Sequence, residues 1–208
     1  MRKPGSVKSL EELGRVRLSP NFFMRDFLYS EIASFHGIPN IPGFPDRAIE
    51  AGTQLCEQLL EPLQARFGRI SIRSAYRSPA VNQFGNEHGL NCASNEANYG
   101  GHIWDYADAR TGATGATACI IVNSFVPYYE RTGDWQALAW WVHDHLPYSE
   151  AEFFPKLAAF NLNWSSQPVR AIYSNVGKGR SCLTKPGMEN WPGQHASEYA
   201  EWLAAGEG

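Results

Sequence analysis

Three side chains able to bind a metal close one polar stretch of the chain: His102, Asp105 and Asp108, within GGHIWDYADA. They end a segment, Ser71 to Ala109, that opens as a strand and breaks into an Asn- and Gly-rich loop. A loop of that length inside a compact domain is uncommon and usually carries function or is disordered. A His and two carboxylates around it suit a catalytic zinc site, with three protein ligands and a water whose pKa the metal lowers. On an extended segment His102 and Asp108 face the same side, whereas Asp105 joins them only if the chain bends. Spacing therefore leaves both carboxylates open as second ligand. Cys119 on the next strand is a third candidate, because a thiolate binds zinc well. The same residues would serve equally as loop-solvating carboxylates and a hydrogen-bonding imidazole. The other histidines offer less. His143 and His145 sit two apart on an expected helix and so point in different directions. His88 lies in the loop and could swing inward, and His36 and His195 belong to no constellation in the sequence.

The elements that must position these residues follow from patterning. Ser9 and Glu12 have capping-box spacing for a short helix in a polar lead-in. Ser19-Pro20 is an N-cap followed by a first-turn proline, predicting a helix over about Asn21 to Phe35. Asp46 can cap a helix over roughly Arg47 to Phe67, whose stripe is Ile49, Leu55, Cys56, Leu59, Leu60 and Leu63. Pro62 predicts a kink or an early end there. Ile70 and Ile72 alternate with Ser71 and Arg73, a half-buried strand over Arg69 to Tyr76. Gly115 to Phe125 reads as a fully buried strand. Asp134 opens an amphipathic helix that Pro147 stops after Leu146. Glu150 to Phe154, Phe160 to Trp164 and Val169 to Ser174 read as short strands, and a closing helix lies near His195 to Leu203. Helices first and strands later predict an α+β single domain, an antiparallel sheet flanked by helices. The expected body spans 19–176, between an N-terminal extension (1–18) and a Gly/Pro-rich C-terminal extension with a short helix (177–208).

Composition narrows the classes. A net charge of −3 without any Lys/Arg run leaves no electrostatic footprint for nucleic acid. No window approaches the ~18 consecutive apolar residues of a membrane span. The two basic residues at the N-terminus are followed by no apolar segment, so a secretory signal is not expected. The expectation is a protein made in the cytoplasm. Cys56, Cys92, Cys119 and Cys182 lie far apart without CxxC spacing, which predicts free thiols.

One block carries a family likeness. Ser74-Ala75-Tyr76-Arg77-Ser78-Pro79, followed by Asn82, the polar loop and then His102, resembles the M15 family of zinc peptidases. That family comprises D-Ala-D-Ala carboxypeptidases and phage L-Ala-D-Glu endopeptidases of the hedgehog/DD-peptidase fold. The likeness covers roughly residues 18 to 175, and LSPNFFMRDFL resembles the family's lead-in helix. It implies zinc as cofactor, a peptidoglycan stem peptide as substrate, and His102 as first zinc ligand. Arg77, with Tyr76 beside it, would hold a substrate carboxylate through its guanidinium fork. The family's Asp ligand falls seven residues after the His, where this chain has Ala109, so Asp105 or Asp108 would replace it. Glu152, or Glu150, matches the family's catalytic Glu and would activate water. The family's last His ligand follows a Trp; here Trp164 is followed by Ser165, a poor zinc ligand. The resemblance therefore implies either a zinc-dependent peptidase or a catalytically silent descendant. The latter would serve as a peptidoglycan-binding protein or a phage-particle component, in contact with phage structural proteins. A phage-encoded protein released by lysis or carried in a virion fits the expected absence of a signal.

Overall fold

The computed structural model describes residues 1–206. Its architecture is α+β: helices flank a single six-stranded sheet. The strands are β1 (Ile70–Ser74), β2 (Gly115–Val122), β3 (Glu150–Phe153), β4 (Phe160–Ser165), β5 (Ala171–Ser174) and β6 (Ser181–Thr184), in the order β1-β2-β4-β3-β5-β6. Every adjacent pair is antiparallel except β3–β5, which is parallel. The expected wholly antiparallel sheet is therefore corrected to a mixed one. β4 returns as a hairpin on one side of β3, and the chain then crosses to place β5 on the other.

Alternation along the strands gives the sheet two unlike faces. Ile70, Ala116, Ala118, Ile120, Phe160, Leu162, Ala151 and Phe153 enter the hydrophobic core. The intervening Thr117, Asn161, Asn163, Ser165, Glu150 and Glu152 line a polar cleft on the opposite face. The core face is covered by a long helical segment made of α3 (Pro45–Leu55), a π-helical turn (Cys56–Leu60) and α4 (Glu61–Phe67). Pro62 does not end this segment early. The π turn just before it, with Glu61 N–H reaching back to Cys56 O, loosens the helix where a proline ring would meet the preceding carbonyls.

Local capping explains the boundaries that differ from expectation. The first helix, α1 (Val7–Gly14), is capped by Ser6 in a box with Ser9, three residues earlier than predicted. No continuous helix runs from Asn21 to Phe35. Glu61 accepts from Ser19 Oγ, Asn21 N and Asn21 Nδ2, which fixes that stretch as a turn. Met24–Phe27 is a 3-10 turn, and α2 (Glu31–His36) starts afresh at Ser30. The long polar loop also contains two helices, α5 (Pro79–Glu87), capped by Ser78, and α6 (Asn95–Asn98), capped by Ser94.

Helix α7 (Val126–Thr132) follows β2, and α8 (Gln136–His145) opens where Asp134 Oδ1 accepts from the Gln136 and Ala137 amides. The C-terminal segment belongs to the body: β6 extends the sheet, and α9 (Ala196–Ala205) packs on α8. Trp202 stacks on Phe67 at 4.5 Å, and Trp141 meets the same ring at 4.6 Å. Leu13 and Leu18 from the N-terminal segment lie in the same core. All four cysteines are free. No helix among the described residues is long and apolar enough to cross a membrane.

Candidate functional site

Two adjoining cavities of about 490 and 730 Å³ lie over the polar face of the sheet. Asn98, His102, Glu152 and Asn161 line both, so they form the divide of one two-lobed cleft. Sheet register builds this divide. Cys119 on β2 pairs with Asn161 on β4, which pairs with Glu152 on β3, which pairs with Tyr173 on β5. These side chains form one row across the sheet, because directly opposite residues share a face.

The loop after α6 lies over the neighbouring Thr117–Asn163 pair. Thr117 N donates to Gly101 O, and Asn163 Nδ2 donates to Gly100 O at 3.1 Å and to Thr117 Oγ1 at 2.9 Å. The approach is so close that a Cβ on Gly115 would come 2.3 Å from Gly100 O and 2.7 Å from Trp164 O. Only glycine fits there.

His102 is buried at this crossing. Its Nδ1–H donates to Ala75 O at 2.7 Å, and its ring stands beside the Asn161 side chain. Nε2 is therefore the nitrogen with a lone pair. Burial and then the Arg77 charge push its pKa down to about 3, so it is a neutral imidazole at neutral pH and a weak base. Arg77 lines the larger lobe together with Arg73, Glu31 and Cys119. Its Nη1 donates to Cys92 Sγ at 3.4 Å, and among the described residues it enters no ion pair. Burial raises the Cys119 thiol to about 11 against the opposing pull of Arg73 and Arg77, so it is not a thiolate at neutral pH.

The smaller lobe is net acidic, with Asp108, Glu150 and Glu152 against Arg110 and Arg180. Glu152 Oε1 accepts from Arg180 Nε at 2.7 Å and from Asn175 Nδ2 at 3.0 Å. Arg180 in turn covers the Tyr173 ring at 3.7 Å. Desolvation raises the Glu150 pKa; Arg180 opposes the rise and Glu152 adds to it. Asp108 Oδ1 accepts from Thr111 Oγ1 and from the amides of Thr111 and Arg110. Those bonds, the Thr111 hydroxyl first, hold its carboxyl below the usual range.

The structure thus brings His102, Asp108, Arg77 and Glu152 to one cleft and removes two other expected residues from its chemistry. Asp105 is fully buried and holds the fold: Oδ2 accepts from the Gly43 and Phe44 amides ahead of α3, and Oδ1 accepts from Tyr76. A carboxylate at that helix start also meets the positive end of the helix dipole. It is not positioned as a metal ligand. The Tyr76 ring lies in the core with its hydroxyl spent on Asp105, so it offers no hydrogen bond to a substrate. Ser165 lines the smaller lobe, but it lies four residues along β4 from Asn161, roughly 13 Å at strand rise. The side chain opposite His102 is Asn161, a residue the sequence reading missed. The alternation in FNLNWS is the signal that could have shown Asn161, Asn163 and Ser165 on one face.

Zinc does not fit the cleft as built. Among the described residues the only three His, Cys, Asp or Glu side chains whose donor atoms converge, within 4.8 Å of one another, are His143, Asp144 and His195. That group could hold a metal ion, and it includes the histidine that belonged to no constellation in the sequence. No family model, curated protein or solved structure matches the chain.

Proposed function

We propose that this chain is a catalytically silent protein of M15 type that binds peptidoglycan stem peptides in the two-lobed cleft. The observation that carries the reading is that, among the described residues, neither Arg77 in one lobe nor Glu150 in the other enters an ion pair. Arg73 and Arg77 stand with Glu31 in one lobe, Glu150 and Asp108 with Arg110 and Arg180 in the other, and Glu152, paired with Arg180, lies with neutral His102 and Asn161 on the divide. A short peptide with a free carboxylate and a free amine fits Arg77 and Glu150: the guanidinium fork takes the carboxylate and Glu150 faces the amine. Asn161 is a dipole of the kind that binds a peptide amide without reacting. The resemblance around Arg77 supplies the cell-wall context, with a phage particle as one setting.

Calorimetric titration with a purified stem tripeptide carrying a free amine tests this. Binding that Arg77→Ala weakens at least tenfold is expected, with the peptide recovered intact. No binding at millimolar peptide would overturn the reading.

A second reading, a zinc-dependent peptidase, is favoured by one observation: the His102 tautomer presents Nε2 in the way metal-binding histidines do. Digestion of muropeptides in the presence of zinc, abolished in Glu152→Gln, would establish it over the first.

A further inference from the structure

A second polar cluster lies away from the cleft, where the C-terminal segment meets α8. We propose that His143, Asp144 and His195, with the carbonyl oxygen of Trp191, form a structural site for a zinc-class divalent cation that fastens the C-terminal segment to the body. None of these residues lines either lobe.

The donors already point at one another. His195 Nδ1 lies 2.8 Å from Asp144 Oδ1, His143 Nε2 lies 3.0 Å from Trp191 O, and the two imidazole centroids are 5.3 Å apart. Tetrahedral zinc with bonds near 2.0–2.2 Å sets its ligand atoms about 3.3 Å apart, so each pair need open by only some tenths of an ångström, while the two pairs, whose His and Asp donor atoms lie within 4.8 Å of one another, draw together around the ion. Two imidazoles, a carboxylate and a carbonyl make an N₂O₂ set. That set suits borderline cations rather than calcium or magnesium, which take six or more oxygens.

The supporting shell is complete. A histidine that binds a metal passes its other ring N–H to an oxygen. His195 Nε2 meets Asn190 O at 2.9 Å, and His143 Nδ1 meets the Tyr148 hydroxyl at 2.8 Å. A hydroxyl accepts as readily as it donates, so His143 can carry its proton on Nδ1 and turn the Nε2 lone pair inward. Asp144 Oδ2 is held by the His195 amide at 2.7 Å and the Tyr199 hydroxyl at 3.1 Å. Trp140 stacks on the His195 ring at 4.0 Å and fixes its plane.

Charge supplies the need for a cation. The Asp144 side chain is 3% exposed and the His195 side chain 12%. Both ring nitrogens of His195 face acceptors, a carbonyl and a carboxylate. The position between His195 Nδ1 and Asp144 must therefore hold a second proton or a metal, and the inward-facing His143 favours the metal.

The test is calorimetric titration of zinc into the full chain after chelator stripping, beside His195→Gln, Tyr199→Phe and, as a cleft control, His102→Ala. One equivalent should bind, unchanged in His102→Ala, about tenfold weaker in Tyr199→Phe and more than about 100-fold weaker in His195→Gln. The cobalt-loaded chain should show tetrahedral visible absorption without a thiolate charge-transfer band. No uptake, uptake lost in His102→Ala, or uptake unchanged in His195→Gln would overturn the site. Should His195→Gln fail to fold, Tyr199→Phe and the cobalt spectrum decide, a thiolate band or an unchanged Tyr199→Phe affinity counting against it.

Discussion

Asn161 stands beside the His102 imidazole, held between Cys119 and Glu152 by the pairing of β2, β4 and β3. Its neutrality separates this cleft from a metal centre, because a carboxamide is a weak ligand where a His or carboxylate would complete a set.

The first prediction concerns that position. Asn161→His should raise zinc affinity at the cleft at least tenfold, since it would add a ligand beside His102 and between Cys119 and Glu152. Ser165→His should change nothing, being roughly 13 Å along the strand. Zinc titration in a His195→Gln background, which silences the other site, reads this directly. A gain from Ser165→His alone would show that β4 presents a different residue to His102.

The second concerns Asp105. Asp105→Ala strands the Gly43 and Phe44 amides and the Tyr76 hydroxyl, and should cost roughly 3 kcal/mol or more in denaturant unfolding. Zinc affinity should not move. The reverse pattern, stability kept and metal lost, would restore Asp105 as a ligand.

His102 sets a pH dependence. Its folded pKa, about 3, lies below its unfolded value near 6.5, so between those values the unfolded chain binds the extra proton. Its contribution to stability is complete above about pH 6.5 and is lost as pH falls toward 3, by up to about 1.4 kcal/mol per pH unit. Unfolding free energies at pH 7 and pH 5 should fall less steeply in His102→Gln than in the wild type. Equal slopes would contradict the buried neutral imidazole.

Arg180→Ala removes the Glu152 ion pair and the cover over Tyr173. Both are partly solvated, so the loss should stay below about 2 kcal/mol. The acidic lobe gains net negative charge, so a peptide bearing a free amine should bind more tightly, as calorimetry would show. Weaker binding would mean that Arg180 itself holds the ligand.

Much of this fold could be read in the chain because strand alternation and helical stripes are local. Ile70 and Ile72, GATACIIV, and the stripe from Ile49 to Leu63 each state their own burial. Ser78 caps α5 with Pro79 in its first turn, but the Asn and Gly that follow made the stretch read as loop. The edge strand β6 was hidden by the Gly-rich residues flanking it. The site was less legible, because register decides it. Nothing local tells that Cys119, Asn161 and Glu152 share a row, or that Asp105 is committed to amides some sixty residues away. The His143–Asp144–His195 group is likewise joined only when α9 docks on α8.

Binding of the stem tripeptide in excess chelator, compared with binding in zinc, tests the central claim most directly. A metal-free cleft predicts equal affinity in both and intact peptide after prolonged incubation. Binding that vanishes in chelator and returns with zinc, or peptide cleaved in zinc, would contradict it.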